Sequence, residues 1–162
     1  MARPGRTSQS GAPRRPVGMT VSARRVLLLV LAALGAYTGG WAYFLTGSWY
    51  RSFPGFGLSW LPVLGPYNEH LAKDTGALYL ALAALSCCAA RWAGDRRLTA
   101  VTVLTWLVFS VPHLVHHLRH LDMYGTTDQV LNGVVLGFFA AAAAALAVPA
   151  PCAVRARPRP RR

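Results

Sequence analysis

Acidic residues are scarce in this chain of 162 residues, in which five Asp and Glu stand against seventeen Lys and Arg, for a formal net charge of +12. Only 14% of the residues are charged, whereas 54% are hydrophobic, and the mean hydropathy is +0.34. A basic nucleic-acid-binding domain needs a well-solvated surface, which so few charges do not provide. The composition therefore excludes specific nucleic-acid binding as the leading hypothesis and indicates a protein that lies partly in a bilayer.

Cysteine is also scarce, and its positions do not suggest a metal site. Cys87 and Cys88 are adjacent within an apolar stretch, and Cys152 lies near the C-terminus. Neighbouring cysteines make an awkward structural disulfide, and no metal-ligand spacing is present. We interpret all three as small apolar side chains.

Asp, Glu, Lys and Arg are missing from four long stretches, which predicts four membrane-spanning helices. Twenty helical residues cross a hydrocarbon core of about 30 Å, and a flanking arginine can extend a shorter stretch by reaching the interface. We therefore predict an all-α, polytopic membrane protein built as a four-transmembrane-helix bundle within residues 25–148. The uncharged stretches are Val26–Leu45, Thr75–Ala90, Leu98–Leu118 and Gln129–Val148, which predict helices at about 26–45, 74–92, 98–119 and 128–148, with an outer aromatic loop at 46–69.

The uneven distribution of Lys and Arg predicts the orientation of the chain. Fourteen of the seventeen basic residues lie in residues 1–25, 91–97 and 149–162, and three lie in the segments that alternate with them. By the positive-inside rule, both termini face the cytoplasm, and we expect a multi-pass protein of the plasma membrane. The basic segments 1–24 and 149–162 are predicted to be disordered cytoplasmic tails that meet anionic lipid headgroups. Translation from Met19 instead of Met1 would shorten the first tail.

Two kinds of targeting segment are alternatives for the N-terminal region. Arg24 and Arg25 followed by Val26–Ala36 have the order of a cleaved signal peptide, but the apolar stretch continues through Phe44 without a clear cleavage site. An Arg-rich, acid-free transit peptide fits the first residues about as well as a disordered tail does. We expect the first apolar stretch to remain as a transmembrane helix.

Two of the predicted spans carry glycines four residues apart. Gly35 and Gly39 lie in the first span, and Gly133 and Gly137 lie in the fourth. Such pairs form a flat stripe that lets helices approach closely in lipid. The stripes predict helix packing, either inside the bundle or in a homodimer or a complex with another membrane protein.

Four of the five histidines are concentrated at the end of the third span. His113, His116, His117 and His120 follow the spacing i, i+3, i+4 and i+7, which places them within about 100° on one helix face. We expect this face, called here the histidine stripe, to point toward other helices, because Trp106 and Phe109 continue it backward.

Other polar residues are expected at the same level of the membrane. His70 and Asp74 are one turn apart, so the carboxylate can orient the imidazole, and an acid in a first helical turn is favoured by the helix dipole. We predict an outer-facing pocket that combines the histidine stripe with the residues before the second span and at the start of the fourth: Glu69, His70, Asp74, Asp128 and Asn132.

The predicted outer loop is rich in aromatic side chains. Segments of this kind lie along the headgroup interface, where they anchor the protein or cover a pocket as a lid. The aromatic residues of the loop are Trp49, Tyr50, Phe53, Phe56, Trp60 and Tyr67.

The histidines allow four interpretations. They can be hydrated side chains at an amphipathic helix end, or groups that sense protons. His113 and His117 can chelate a transition metal whose coordination a carboxylate or His70 completes. Ligands such as His70 and His116 can also hold a haem between helices.

Several segments together resemble a family. FPG at 53–55, Trp60, GPYNEHL at 65–71, DTGALYLALA at 74–83 and VPHLVHHLRHLD at 111–122 are similar to segments of small actinobacterial four-helix membrane proteins whose plan resembles that of the DoxX-like family. The similarity covers roughly residues 40–135. It implies the four-helix architecture and a single site that includes Asn68, Glu69, His70, Asp74, His113, His117, His120 and Asp122.

Three functions follow from these features. The first is a non-catalytic binding or accessory protein whose pocket holds a metal ion, a small ligand or a partner. The second, implied by the DoxX-like resemblance, is a subunit of a membrane oxidoreductase that uses haem or quinone, although no matching cofactor motif is present. The third is a small transporter, which the absence of an ionisable group at mid-membrane depth disfavours.

Overall fold

The computed structural model describes residues 18–149, so most of each predicted tail (1–17 and 150–162) lies outside the described residues. Within that range, five α-helices alternate with short irregular segments. Two of those segments form a small antiparallel hairpin and two form 3₁₀ turns, at Pro62–Leu64 and Leu121–Met123. The helices are α1 (Val21–Phe44), α2 (Thr46–Ser52), α3 (Glu69–Arg91), α4 (Arg96–Leu118) and α5 (Thr126–Leu146), and the hairpin strands are β1 (Pro54–Gly55) and β2 (Leu58–Ser59).

Four of these helices, α1, α3, α4 and α5, are long and apolar enough to cross a membrane. They pack side by side with alternating direction, and side chains such as Leu104 and Val108 are exposed on the bundle surface. In water such exposure would be costly, whereas in lipid it is the expected state of an outward-facing residue. The structure confirms the all-α bundle with four candidate spans and indicates a multi-pass membrane protein.

Three of the four long helices begin at residues whose side chains cap them. Thr20 accepts a hydrogen bond from the backbone of Ala23, Asn68 from Leu71, and Asp95 from Arg97 and Leu98. These caps satisfy backbone donors that have no partner within the helix. As a result α1 begins at Val21 instead of 26, and α3 at Glu69 instead of 74. The loop predicted at 46–69 is also more ordered than expected, because it contains α2 and the hairpin.

Helices α1 and α3 form the closest pair in the bundle because glycines lie on both sides of their contact. A Cβ atom at Gly39 would be 2.8 Å from the carbonyl oxygen of Gly76, and one at Gly76 would be 2.6 Å from the backbone nitrogen of Tyr43. A Cβ at Gly35 would be 3.2 Å from the carbonyl oxygen of Tyr79. The first glycine pair therefore mediates helix packing inside the bundle.

The second glycine pair does not mediate close packing among the described residues. A Cβ atom at Gly133 or Gly137 would meet no neighbouring atom within 4 Å. Helix α5 packs inward through other residues, including Leu136, Phe139 and Ala143, which are buried. The structure therefore gives Gly133 and Gly137 no close helix contact inside the bundle, contrary to the internal packing expected for them.

The two ends of the bundle are named here by their side chains. At the arginine end α1 and α4 begin and α3 and α5 end, and at the histidine end the opposite holds. Arg24 is only 4% exposed at the arginine end, where it donates to the carbonyls of Ala93 (3.4 Å) and Val148 (3.1 Å). Arg25 donates to the carbonyl of Ala90 at 3.1 Å. Cations are favourable beside the carboxyl ends of helices, so these contacts join α1 to the ends of α3 and α5.

An aromatic layer crosses the middle of the bundle. The indole of Trp106 is fully buried, donates to the hydroxyl of Ser86 at 2.8 Å, and stacks on Phe139 with ring centroids 5.4 Å apart. The ring of Tyr79 meets that of Phe109 edge to face at 4.9 Å. These contacts join α3, α4 and α5, and they separate the packed core below from a cavity above.

Candidate ligand cavity at the histidine end

A cavity of about 790 Å³ lies between the α1/α3 pair and the α4/α5 pair at the histidine end. Tyr79 and Phe139 of the aromatic layer lie among its lining residues. Most of its lining is aliphatic or aromatic, and the polar exceptions include three members of the histidine stripe. Other lining residues are Leu34 and Thr38 of α1, Ala72 and Thr75 of α3, and Asn132, Val134, Leu136 and Phe138 of α5.

The segment 45–68 covers the cavity and is called here the lid. Its hydrogen bonds attach it to helices on both sides, because Tyr37 of α1 donates to the carbonyl of Pro54 (3.2 Å) and the indole of Trp60 donates to Asp128 of α5 (3.0 Å). Tyr124 donates to the carbonyl of Trp60 at 3.2 Å. Burial raises the pKa of the Tyr124 hydroxyl, which keeps it protonated as a donor. The predicted aromatic loop is therefore a folded cover.

The lid turns sharply between the strands of its hairpin. Gly55, Phe56 and Gly57 all have positive φ angles, of 95°, 58° and 83°. Two glycines adopt this backbone easily, whereas Phe56 does so at a cost. The Phe56 side chain is 99% exposed at the tip of the turn, a position that suits an aromatic residue at a membrane interface.

The histidine stripe forms a continuous line of rings along the end of α4. His113 stacks on Phe109 with centroids 5.2 Å apart, His117 lies 4.7 Å from His113, and His120 lies 4.5 Å from His116. Of the four, His113, His116 and His117 line the cavity. The ring of His120 instead contacts the carbonyl of His116 through Nδ1 at 2.7 Å.

The predicted residues before the second span lie in a different environment. Asn68 lines the cavity, but its side-chain oxygen already accepts from the backbone of Leu71 at 3.0 Å. Glu69 pairs with Lys73 at 2.7 Å, and His70 pairs with Asp74 at 3.3 Å, all four on exposed parts of α3. Helix α3 thus presents its charged residues outward, away from the cavity.

The two remaining acids also differ in their roles. Asp128 holds the lid through Trp60 and is partly buried. Asp122 lies exposed in the second 3₁₀ turn and does not line the cavity. The structure therefore brings together only part of the predicted pocket: Asn68, His113, His116, His117 and Asn132.

A metal centre would need several of these ligands within reach of one ion. In residues 18–149, no group of three or more His, Cys, Asp or Glu side chains is arranged to hold a metal ion. His113 and His117 are neighbours, but Glu69, His70 and Asp74 point away from them on α3 and do not complete a coordination shell. The cavity is therefore better suited to an organic molecule than to a metal ion.

Sequence reasoning missed Tyr124 and Gln129, which hold the lid in place. Tyr124 is buried under Trp60, and the amide of Gln129 donates to the carbonyl of Tyr124 at 2.9 Å. No spacing rule connects Trp60 with Tyr124 or Asp128, because their contacts join parts of the chain more than sixty residues apart. The only signal in the sequence was an aromatic residue, Tyr124, within a polar segment.

The sequence and fold were compared with known proteins. No protein family, no curated protein and no solved structure matches the chain. The cavity itself is therefore the feature from which a function can be inferred.

Proposed function

We propose that this protein is a membrane-embedded binding or accessory protein that holds a small lipophilic molecule in the cavity at its histidine end. The observation that carries this proposal is the cavity of about 790 Å³ beneath the lid. Ligand pockets in proteins span about 300–1,000 Å³ and combine apolar walls with a few placed polar groups. The cavity has both properties.

The chemistry of the walls favours binding over turnover. Among the described residues, no Asp, Glu, Lys, Arg, Ser or Cys lines the cavity, and its titratable side chains are histidines and tyrosines. Thr38 and Thr75 also line it, but within residues 18–149 neither hydroxyl is hydrogen-bonded to a histidine that could activate it. Acyl or phosphoryl transfer generally uses an activated nucleophile or a charged clamp. These walls offer shape and hydrogen bonds instead. No specific feature of the described residues favours the oxidoreductase-subunit or transporter hypotheses.

We further propose that the protein lies in the plasma membrane with both termini in the cytoplasm. The Lys and Arg distribution supports this orientation, and it places the cavity and its lid on the outer side. Arg25, Arg91, Arg96 and Arg97 are exposed at the arginine end, where anionic headgroups would attract them by about 1 kcal/mol each.

The binding proposal can be tested by photolabelling the protein in lipid nanodiscs. The probe is hexadecanol with a diazirine in the middle of its chain, and peptide mapping locates the labelled positions. We expect the wild-type protein to be labelled around Leu136, which is buried and lines the cavity. Excess unlabelled hexadecanol should abolish this labelling, while labelling of the lipid-facing Leu104 should decrease far less.

A matched pair of variants shows whether the labelled site is the cavity. Thr75 lines the cavity, whereas Ala77 is on the exposed face of the same helix. Thr75→Phe should remove most of the competable labelling at Leu136 because the added ring occupies the cavity, and Ala77→Phe should leave it unchanged. Both variants are first checked for wild-type thermal stability. Labelling that cannot be competed, or that survives in a folded Thr75→Phe protein, would contradict the proposal.

A further inference from the structure

Two polar side chains that α4 and α5 contribute to the cavity wall are buried without a hydrogen-bond partner among the described residues, as is the indole nitrogen of Trp49 in the lid. Asn132 is 1% exposed, and neither its amide nitrogen nor its amide oxygen is paired. His117 is 9% exposed, and its Nδ1 atom is likewise unpaired. Both residues line the cavity. Buried polar groups are nearly always hydrogen-bonded, and the contacts of the described residues leave both of these side chains able to bind a partner that enters the cavity.

The walls also limit the charge of that partner. No Asp, Glu, Lys or Arg among the described residues lines the cavity. A charged group that leaves water for such a site loses its hydration without gaining an opposite charge, which is strongly unfavourable. A cationic head would meet no acid in the cavity, and an anionic head would first have to protonate a buried histidine such as His117. An uncharged partner therefore suits Asn132 and His117 best.

The wall that α1 and α5 form indicates whether such a molecule would enter from water or from lipid. Tyr37 of α1 and Val134 and Phe138 of α5 line the cavity and are also exposed on the surface of the bundle. Their exposure lies along two helices that are long and apolar enough to cross the membrane. The cavity thus has an opening toward lipid, which suits a ligand that dissolves in the bilayer.

From these three observations we propose that the ligand is a lipid-soluble molecule whose uncharged head both donates and accepts hydrogen bonds, as a primary carboxamide does. This inference depends on the proposed binding function and specifies its ligand class. Asn132 donates through Nδ2 to the carbonyl of the head and accepts through Oδ1 from its N–H. His117 adds one more bond through Nδ1, as donor or acceptor according to its tautomer.

Competition between matched lipids tests this assignment. The hexadecanol photoprobe is displaced from the wild-type protein in nanodiscs by four molecules with C18 chains: oleamide, methyl oleate, oleylamine and 1-octadecene. Oleamide offers a donor and an acceptor, methyl oleate offers acceptors only, oleylamine is cationic, and 1-octadecene has no polar head. We expect oleamide to compete at a concentration about fivefold lower than methyl oleate, which lacks only the donor, and at least about tenfold lower than oleylamine and 1-octadecene.

Three variants connect that preference to the two side chains. Asn132→Leu and His117→Leu keep similar volume but remove the polar atoms, so each should reduce the preference for oleamide to about threefold or less. His120→Leu is the control, because His120 belongs to the same stripe but does not line the cavity, and it should retain the wild-type preference. Thermal unfolding checks that each variant is folded.

The possible results separate this inference from the proposed function. If the four lipids compete equally while Leu136 is still labelled and protected, the head-group assignment is wrong and the binding function stands. Stronger competition by oleylamine or methyl oleate would also overturn the assignment. A preference for oleamide that persists in both Asn132→Leu and His117→Leu would place the head elsewhere. If no lipid protects Leu136, the binding function fails as well.

Discussion

The two ends of the bundle are closed in different ways. At the arginine end, four helices converge on fully buried small and aliphatic side chains, such as Leu28, Ala89 and Leu146, and Arg24 joins α1 to the ends of α3 and α5. At the histidine end the same helices separate into two pairs, and a cavity lies between them under a folded lid. The arginine end therefore stabilises the bundle, and the histidine end provides the cavity.

Polar groups show the same difference between the ends. At the arginine end, two guanidinium nitrogens of Arg24 donate to carbonyl oxygens that the helices leave free, and only its Nε atom has no partner among the described residues. At the histidine end, Asn132 and the Nδ1 atom of His117 are buried without partners in the described chain. Among the described residues, the histidine end differs in that its unpaired side chains line a cavity that another molecule can occupy.

The largest loss of stability is expected where the α1/α3 and α4/α5 helix pairs meet below the cavity. Trp106→Ala removes a fully buried indole, its stacking on Phe139 and its hydrogen bond to Ser86. We expect the free energy of unfolding to decrease by about 3–5 kcal/mol, as measured by reversible denaturation in detergent. Trp92→Ala is the control, because Trp92 is exposed and makes only a cation–π contact with Arg91, worth about 1 kcal/mol or less. Equal losses of stability in the two variants would show that the aromatic layer does not hold the helix pairs together.

A smaller loss of stability is expected when α1 and α3 are forced apart beside the cavity. Gly76→Ala places a methyl group against the backbone of Tyr43, and overpacking of this kind costs about 1–3 kcal/mol. Gly133→Ala is the same change at a glycine with open space around it, and it should alter stability by at most about 1 kcal/mol, in the stabilising direction. Midpoints of thermal unfolding measure both. A larger loss for Gly133→Ala would mean that the stripe on α5 packs against something outside the described chain.

The sequence was sufficient to predict the bundle because its signals are distributed over many residues. Three spans contain about twenty residues without Asp, Glu, Lys or Arg and the second contains sixteen (75–90), and an α-helix satisfies all the backbone hydrogen bonds of such a segment in lipid. The helix starts were less accurate, since Thr20, Asn68 and Asp95 add capped turns before the apolar stretches. Hydropathy does not register a cap, because its effect is a single local hydrogen bond.

The site could be predicted only in part for a geometric reason. Helical spacing correctly placed His113, His116 and His117 on one face, and the cavity lies at that face. Glu69, His70 and Asp74 were assigned to the pocket by their level along the bundle, but level does not determine which way a helix turns its side chains. They lie on the exposed side of α3. The lid depends on pairs such as Trp60 and Asp128, which are distant in sequence.

The smallest change in stability is expected in the lid itself, and it tests whether the two ends of the bundle open independently. Trp60→Phe keeps the aromatic ring but removes the indole N–H that donates to Asp128. Because one hydrogen bond contributes about 0.5–1.5 kcal/mol, amide hydrogen exchange in the hairpin should accelerate about two- to tenfold while exchange at the arginine end is unchanged. Trp49→Phe is the matched control, since the indole nitrogen of Trp49 is buried in the lid without a partner among the described residues. If both variants accelerate exchange equally, the contact with Asp128 does not hold the lid closed. If exchange also accelerates at the arginine end, the two ends unfold as one unit, and the separation between a stabilising end and a binding end is wrong.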